Sequence, residues 1–309
     1  MKKKLLIASI YSEVSKQNGW YDIQKKFLDL TTKDYDFGIF YNQTSPDLPA
    51  LTIGHHTGDD VRRHFQNGEY QPDDEVLAEN YAGYLYDMRV AYFKIMDYFR
   101  SHQNEYDNFL LIDCDAFPVH PHWQDVLTKR MEMTARWYSG LLRGETFEDY
   151  PWLGVFYIRG EYIQEEIMDW FPRKHRNLWG HYFREFGTSR IKVYHEDRNI
   201  WYPLLRSNVV NMHPVRFGIY NHLFYHHMKG SRNKDDPDFK PNLTSLSKPE
   251  MIGYYDHYIP KELQPIIADH CHQRLLDEPE KFIAGLMRVD ADEWFNQKAI
   301  KVEEYDPII

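Results

Sequence analysis

The sequence predicts an α/β fold: a mostly parallel central sheet with helices on both faces, followed by a helical C-terminal extension. Three observations predict it. Short apolar runs recur at residues 5–10, 35–42 and 109–112. Stretches with helical apolar spacing lie between them. The run at 109–112, FLLI, is continuous rather than alternating, as in a strand buried on both faces. Strand, helix, strand, loop, helix, strand is the order that favours a parallel sheet.

The elements follow in chain order. Residues 5–10, LLIASI, read as the first strand. Trp20, Ile23, Phe27 and Leu30 then step by 3, 4 and 3, one face of a helix. Residues 35–42, YDFGIFYN, read as a second strand. Residues 42–78 are rich in Gly, Pro, Asp and His, and read as a long loop with short turns. Tyr81, Leu85, Met88, Tyr92, Ile95 and Phe99 step by 4, 3, 4, 3 and 4, which predicts a helix over 79–102. After the strand at 109–112, WLGVFYIRG (152–160) predicts another strand and EYIQEEIMDWF a helix. SRIKVYHED (189–197) predicts a strand ending in acids, and RNIWYPLLRS (198–207) a helix. FGIYNHLFYHHMKGSR (217–232) predicts a last strand running into a His-His pair. Residues 233–250 are polar, carry three prolines, and read as a flexible loop. Helices are predicted over 261–276 and 280–299. No repeat or low-complexity tract is present.

Composition bounds the function. The 309 residues suffice for one large domain or two small ones. A net charge of −10 excludes a general nucleic-acid binder, which carries a basic excess. Aromatics reach 16%, consistent with a Tyr-rich core or with platforms for sugars and bases; composition does not separate the two. Cys114 and Cys271 are the only cysteines, too few for a disulfide framework, so a reducing, cytoplasmic compartment is expected. The start, MKKKLLIASIYSE, imitates a leader. Its apolar run of six residues is shorter than a usual leader core, and no small-residue cleavage pattern follows. No run of about 18 apolar residues occurs, so no membrane span is expected.

The chemistry-bearing segment is FLLIDCDAFPVH (109–120). In an extended chain residues i and i+2 project to one side. Asp113 and Asp115 therefore converge at the carboxyl end of the strand, where open α/β sheets place ligands. Paired carboxylates repel unless a cation or several donors neutralise them. Hard oxygen ligands suit Mg²⁺ or Mn²⁺. An isolated Asp-x-Asp is also a common solvated turn or helix cap; the apolar run before it weakens that reading. A second segment weakens it further. YHHMKGSR (225–232) ends an aromatic strand with His226 and His227. Imidazole is a competent third ligand for Mn²⁺. Lys229, Arg232 and the amides around Gly230 suit a diphosphate.

LLIDCDAFPV, YPWLGVFYIRG and RSNVVNMHPVRFGIYNHLFYHHMKGSR together resemble a GT-A-fold glycosyltransferase over roughly residues 4–232. Such enzymes transfer a sugar from a nucleoside-diphosphate donor to a glycan, lipid-linked or protein hydroxyl. The resemblance implies a GT-A-like catalytic domain over 1–250, with a nucleotide-binding half to about 120 and an acceptor half over 121–232. The flexible loop 233–250 and the extension 251–309 follow. It implies that Asp115 ligates the ion and that Asp113 touches the ion or the donor ribose. The C-terminal ligand falls on His226 or His227, with His226 favoured. Residues 8–13 would seat the nucleotide: Tyr11 on the base, Ser9 or Ser12 in hydrogen bonds. Cys114 would point away from the metal. Arg89 and Lys94 are within reach of a phosphate in this reading, although a solvated helix face suits each better. If the anomeric centre inverts, a carboxylate must accept the acceptor proton. Asp197 is the first candidate and Glu196 the second; Asp197 also suits a helix N-cap. Asp149 is a weaker candidate, and Trp152 and Trp179 are candidate acceptor walls.

Three other classes remain open. A phosphatase of haloacid-dehalogenase type also uses Asp-x-Asp and Mg²⁺, with the first Asp as nucleophile. Here the acids lie past residue 110, Ala116-Phe117-Pro118 replaces the usual Thr, and the histidine turn has no role. A nucleotidyltransferase would use the same metal at the α-phosphate. A non-catalytic carbohydrate-binding protein would use the aromatics alone. The segment 280–299 is amphipathic with both signs of charge, which suits packing on the domain better than a membrane surface.

Overall fold

The computed structural model describes residues 3–57, 91–92, 94–143, 150–163, 201–205, 218–227 and 271–292. Ten strands are described: β1 (Lys3–Tyr11), β2 (Tyr35–Asn42), β3 (Leu51–His56), β4 (Tyr106–Asp113), β5 (Ala116–Pro118), β6 (Tyr138–Arg143), β7 (Tyr150–Arg159), β8 (Trp201–Leu204), β9 (Gly218–Tyr220) and β10 (Phe224–His226). The helices include α1 (Glu13–Gln17), α2 (Trp20–Thr31), α3 (Trp123–Met133) and α4 (Pro279–Met287). Residues 94–101 and 271–277 are also helical.

Among the described residues the central sheet has seven strands, in the order β3-β2-β1-β4-β7-β6-β8. β3, β2, β1 and β4 run parallel, as do β6 and β8; β7 is antiparallel to both its neighbours. The fold is thus a mostly parallel α/β sheet with flanking helices and a helical C-terminal region, as the sequence predicts. A second sheet, β5-β10-β9, is antiparallel throughout.

Side-chain alternation explains why the central strands are apolar on both faces. Leu5, Ile7 and Tyr11 of β1 enter one core with Trp20, Ile23 and Phe27 of α2. Leu6, Ala8 and Ile10 enter the other with Ile95, Met96 and Phe99 of the 94–101 helix. Each strand therefore needs apolar residues at every position. At the first crossover Ser12 caps α1 in a reciprocal capping box with Ser15. Gly19, at φ +74°, then opens α2; a Cβ there would lie 3.0 Å from Leu276. The turn thus needs glycine for its backbone angle, and the Leu276 side chain of the C-terminal helix packs close against it.

Several expectations need correction. The loop over 42–78 contains β3, an edge strand whose Gly54, His55 and His56 carry little strand propensity. The expected helix over 198–207 contains β8, a strand parallel to β6. Pro203 is tolerated there because β8 is an edge. The single last strand over 217–227 is a hairpin, β9 and β10. Asn221 and His222, at φ +48° and +56°, turn the chain between them. The helix expected from 280 to 299 stops at Met287, where Arg288 takes a left-handed conformation at φ +57°. The expectations at 58–90, 164–200, 228–270 and 293–299 lie outside the described residues. No helix among the described residues is long and apolar enough to cross a membrane.

Candidate metal centre

The site begins with the pleat of β4. Leu110 and Ile112 face one core, Phe109 and Leu111 the other. Asp113 follows Phe109 and Leu111 on the second face, at the carboxyl end of the strand. The chain then leaves the sheet in a turn at 114–115 and enters β5. Asp115 thus lies beyond the strand, so the i, i+2 pleat is not what brings the two acids together. The second sheet does it. β10 pairs with β5 so that His226 lies opposite Ala116, and the His227 backbone N–H donates to the Asp115 carbonyl at 2.9 Å.

His226 Nε2 lies 3.4 Å from Asp113 Oδ2 and 3.7 Å from Asp115 Oδ1. One ligand atom from each residue falls within 4.8 Å of the others. Among the described residues no other group of His, Cys, Asp or Glu converges this way. Asp115 and His226 are buried, while Asp113 is partly open to solvent. Two carboxylates and one imidazole on one side of a point, with an open side, fit a hard divalent ion that completes its shell from solvent or substrate.

Two residues at this centre carry no chemical signature in the sequence. Gly154 of β7 lies behind the ligands. A Cβ there would stand 3.0 Å from Asp113 Oδ2 and 3.1 Å from His226 Nε2. Gln24 of α2 is fully buried. Its Nε2 donates to the carbonyls of Asp113 (2.8 Å) and Ala116 (2.7 Å), and its Oε1 accepts from the Tyr11 hydroxyl at 2.8 Å. A polar residue within an otherwise apolar helix face was the available signal for Gln24. Gly154 left none, being one glycine in a strand.

The remaining candidates are placed as follows. His227 stands apart from the acids: its Nδ1 is 2.7 Å from the Tyr225 hydroxyl, and its ring packs on Trp20 and His272. Tyr11 is buried in the core with its ring edge-on to Tyr21, and is not presented as a platform for a base. Burial, then Cys114, holds its phenol pKa well above the ordinary value. Ser9 is also buried, with an Oγ that lacks a hydrogen-bond partner among the described residues. Ser12 is committed to capping α1. Cys114 joins the core, and burial followed by Asp115 and Asp113 pushes its thiol up, so it stays neutral. Lys94 is exposed on its helix. Asn42, at the carboxyl end of β2, has a buried Oδ1 without a hydrogen-bond partner among the described residues; nothing in the sequence singles it out. Arg89, Asp149, Trp179, Glu196, Asp197, Lys229, Gly230 and Arg232, and the side chain of Trp152, lie outside the described residues.

No protein-family model matches this chain, and no curated protein matches it. Solved structures do. A glycosyltransferase involved in glycosylation of the major capsid of PBCV-1 is 11% identical over 68% of this chain and 85% of its own, with a TM-score of 0.31. Mouse xyloside xylosyltransferase 1 is 9% identical over 66% of this chain and 85% of its own, at 0.39. The catalytic domain of Drosophila beta1,4-galactosyltransferase 7 is 12% identical over 84% and 83%, at 0.37. With every score below one half, the functional reading comes from the site and not from these likenesses.

Proposed function

We propose that the protein is a metal-dependent glycosyltransferase that moves a sugar from a nucleoside-diphosphate donor to a hydroxyl of a glycan, lipid-linked or protein acceptor. The observation that carries this is the convergence of Asp113, Asp115 and His226 at the carboxyl end of β4. The chain gathers two carboxylates and an imidazole, Asp115 and His226 buried and Asp113 partly open, at the edge where such sheets take ligands. Those three residues would hold Mn²⁺ or Mg²⁺. A bound dication supplies Lewis-acid stabilisation of the charge on a departing diphosphate.

The chain's own residues divide the remaining work. Asp115, buried, is the direct ligand; Asp113, at the solvent side, meets the ion or the ribose. Gly154 leaves the room that the carboxylate and imidazole occupy. The donor's nucleoside is assigned to the carboxyl ends of β1 and β2, at residues 8–13. Lys229, Arg232 and the amides around Gly230 are assigned to the diphosphate. Asp197, or else Glu196, is assigned as the base that takes the acceptor proton in an inverting reaction. Residues 1–250 form the catalytic unit in this reading and 251–309 its extension. The compartment is reducing and cytoplasmic, in keeping with free thiols at Cys114 and Cys271.

Thermal unfolding with each nucleoside diphosphate, with and without Mn²⁺, tests the reading. A ligand at a hundredfold excess over its dissociation constant stabilises by about 2.7 kcal/mol. The expected result is a shift that needs both Mn²⁺ and one nucleotide, together with Mn²⁺-dependent hydrolysis of the matching nucleotide sugar. Cleavage of a simple phosphate ester in place of nucleotide-sugar turnover would overturn it.

A further inference from the structure

The geometry points to Gln24 as the positioning residue of the metal centre: its side-chain amide, anchored by Tyr11, fixes the carbonyls on either side of the 114–115 turn so that both carboxylates face His226. This rests on the metal-site reading above.

Gln24 sits on the buried face of α2 among Trp20, Ile23, Phe27 and Thr31. An amide buried there is costly unless its hydrogen bonds are made. All three polar positions are used: two N–H donors on two carbonyls, and one oxygen beneath the Tyr11 hydroxyl. Only one orientation of the amide works. Flipped, Oε1 would face two carbonyl oxygens, which have no proton to donate. The two carbonyls select the orientation that presents Nε2 to the turn, and the Tyr11 hydroxyl, donating to Oε1, anchors the other end of the amide.

The two carbonyls held are informative. Asp113 is the last residue of β4 and Ala116 the first of β5. Gln24 therefore grips the turn at both ends, while the His227 N–H holds the Asp115 carbonyl between them. Like charges at close range push a turn open. A clamp on the backbone resists that push without touching the carboxylates, which stay available to an ion. A fully satisfied buried network of this kind imposes one geometry.

The experiment is Mn²⁺ titration of the full chain, read by the electron paramagnetic resonance signal of free aqueous Mn²⁺, beside thermal unfolding of each variant. Gln24→Leu is expected to weaken Mn²⁺ binding by about tenfold or more, and Tyr11→Phe by a smaller factor in the same direction. Ile95→Ala, in the core on the other face of the sheet, is expected to lower the melting temperature with Mn²⁺ affinity unchanged. Wild-type affinity in both Gln24→Leu and Tyr11→Phe would overturn the inference, as would an equal loss of affinity in Ile95→Ala. If Gln24→Leu does not fold, Tyr11→Phe decides alone. If wild type binds no Mn²⁺ that Asp115→Ala abolishes, the metal site itself is refuted and the inference with it. Binding in wild type that the Gln24 and Tyr11 variants leave intact refutes the inference alone.

Discussion

Asp113 and Asp115 place like charges close to one imidazole, an arrangement that, in the proposed metal site, trades stability for binding. Replacing one charge should ease the repulsion. Asp115→Asn is expected to leave the metal-free melting temperature unchanged or raised by up to about 3 °C. The same variant should lose the Mn²⁺-dependent rise, as differential scanning calorimetry with and without the ion will record. Gly154 gives the opposite test, in which no ligand is removed. A methyl group at 154 would press on Asp113 Oδ2 and His226 Nε2. Overpacking of this kind costs about 1–3 kcal/mol. Gly154→Ala is expected to show it mainly as weaker Mn²⁺ binding by calorimetric titration. The acids and His226 were legible in the sequence because their side chains have few roles besides charge and ligation. Gly154 and Gln24 were not, because each acts on residues that only folding brings near.

At the scale of elements, the junction between β5 and α3 carries a buried histidine. The His120 Nδ1 accepts the His122 backbone N–H at 3.0 Å. Burial, then the neighbouring His122, His222 and Arg130, lowers its pKa from 6.5 to about 3. Between those values the unfolded chain takes up a proton that the folded chain refuses. Stability is therefore complete above about pH 6.5 and falls as the pH is lowered toward 3. Between pH 7 and pH 5 the loss from this group is about 2 kcal/mol. Urea denaturation at both pH values measures it. His120→Asn, which keeps an acceptor for the His122 N–H, is expected to shrink the difference between them. The elements themselves were unevenly legible. β1, β2 and α2 were readable because Leu5–Ile7, Phe37–Tyr41 and the Trp20 face declare their periods. β3 and β8 are edge strands, where half-exposed residues and a proline are tolerated and the pattern fades. The β9–β10 hairpin was missed because Asn221-His222 is a weaker turn signal than a glycine pair.

Across the molecule, the C-terminal region shares the core that holds the site. Cys271, Leu275, Phe282, Ile283 and Met287 are buried in the same cluster as Trp20, Ile219 and Tyr225. The Phe282 ring meets Tyr225 edge-on, with centroids 6.4 Å apart, one residue from His226. Phe282→Ala is expected to destabilise the protein by about 3–5 kcal/mol, measured by urea unfolding at neutral pH.

The sequence by itself determined the strands β1, β2, β4 and β7, the helix α2 and the residue types at the candidate metal centre. Each depends on local periodicity, or on chemistry that a side chain carries wherever it sits. The tertiary structure alone decided that His226 and not His227 faces the acids, that a turn and a second sheet aim Asp115, and that Gln24 and Gly154 frame the centre. Those facts depend on strand pairing and backbone clearance between segments about 40 to more than 110 residues apart in the chain. Register across such distances is set by the packing of the whole core, and no single stretch of sequence encodes it.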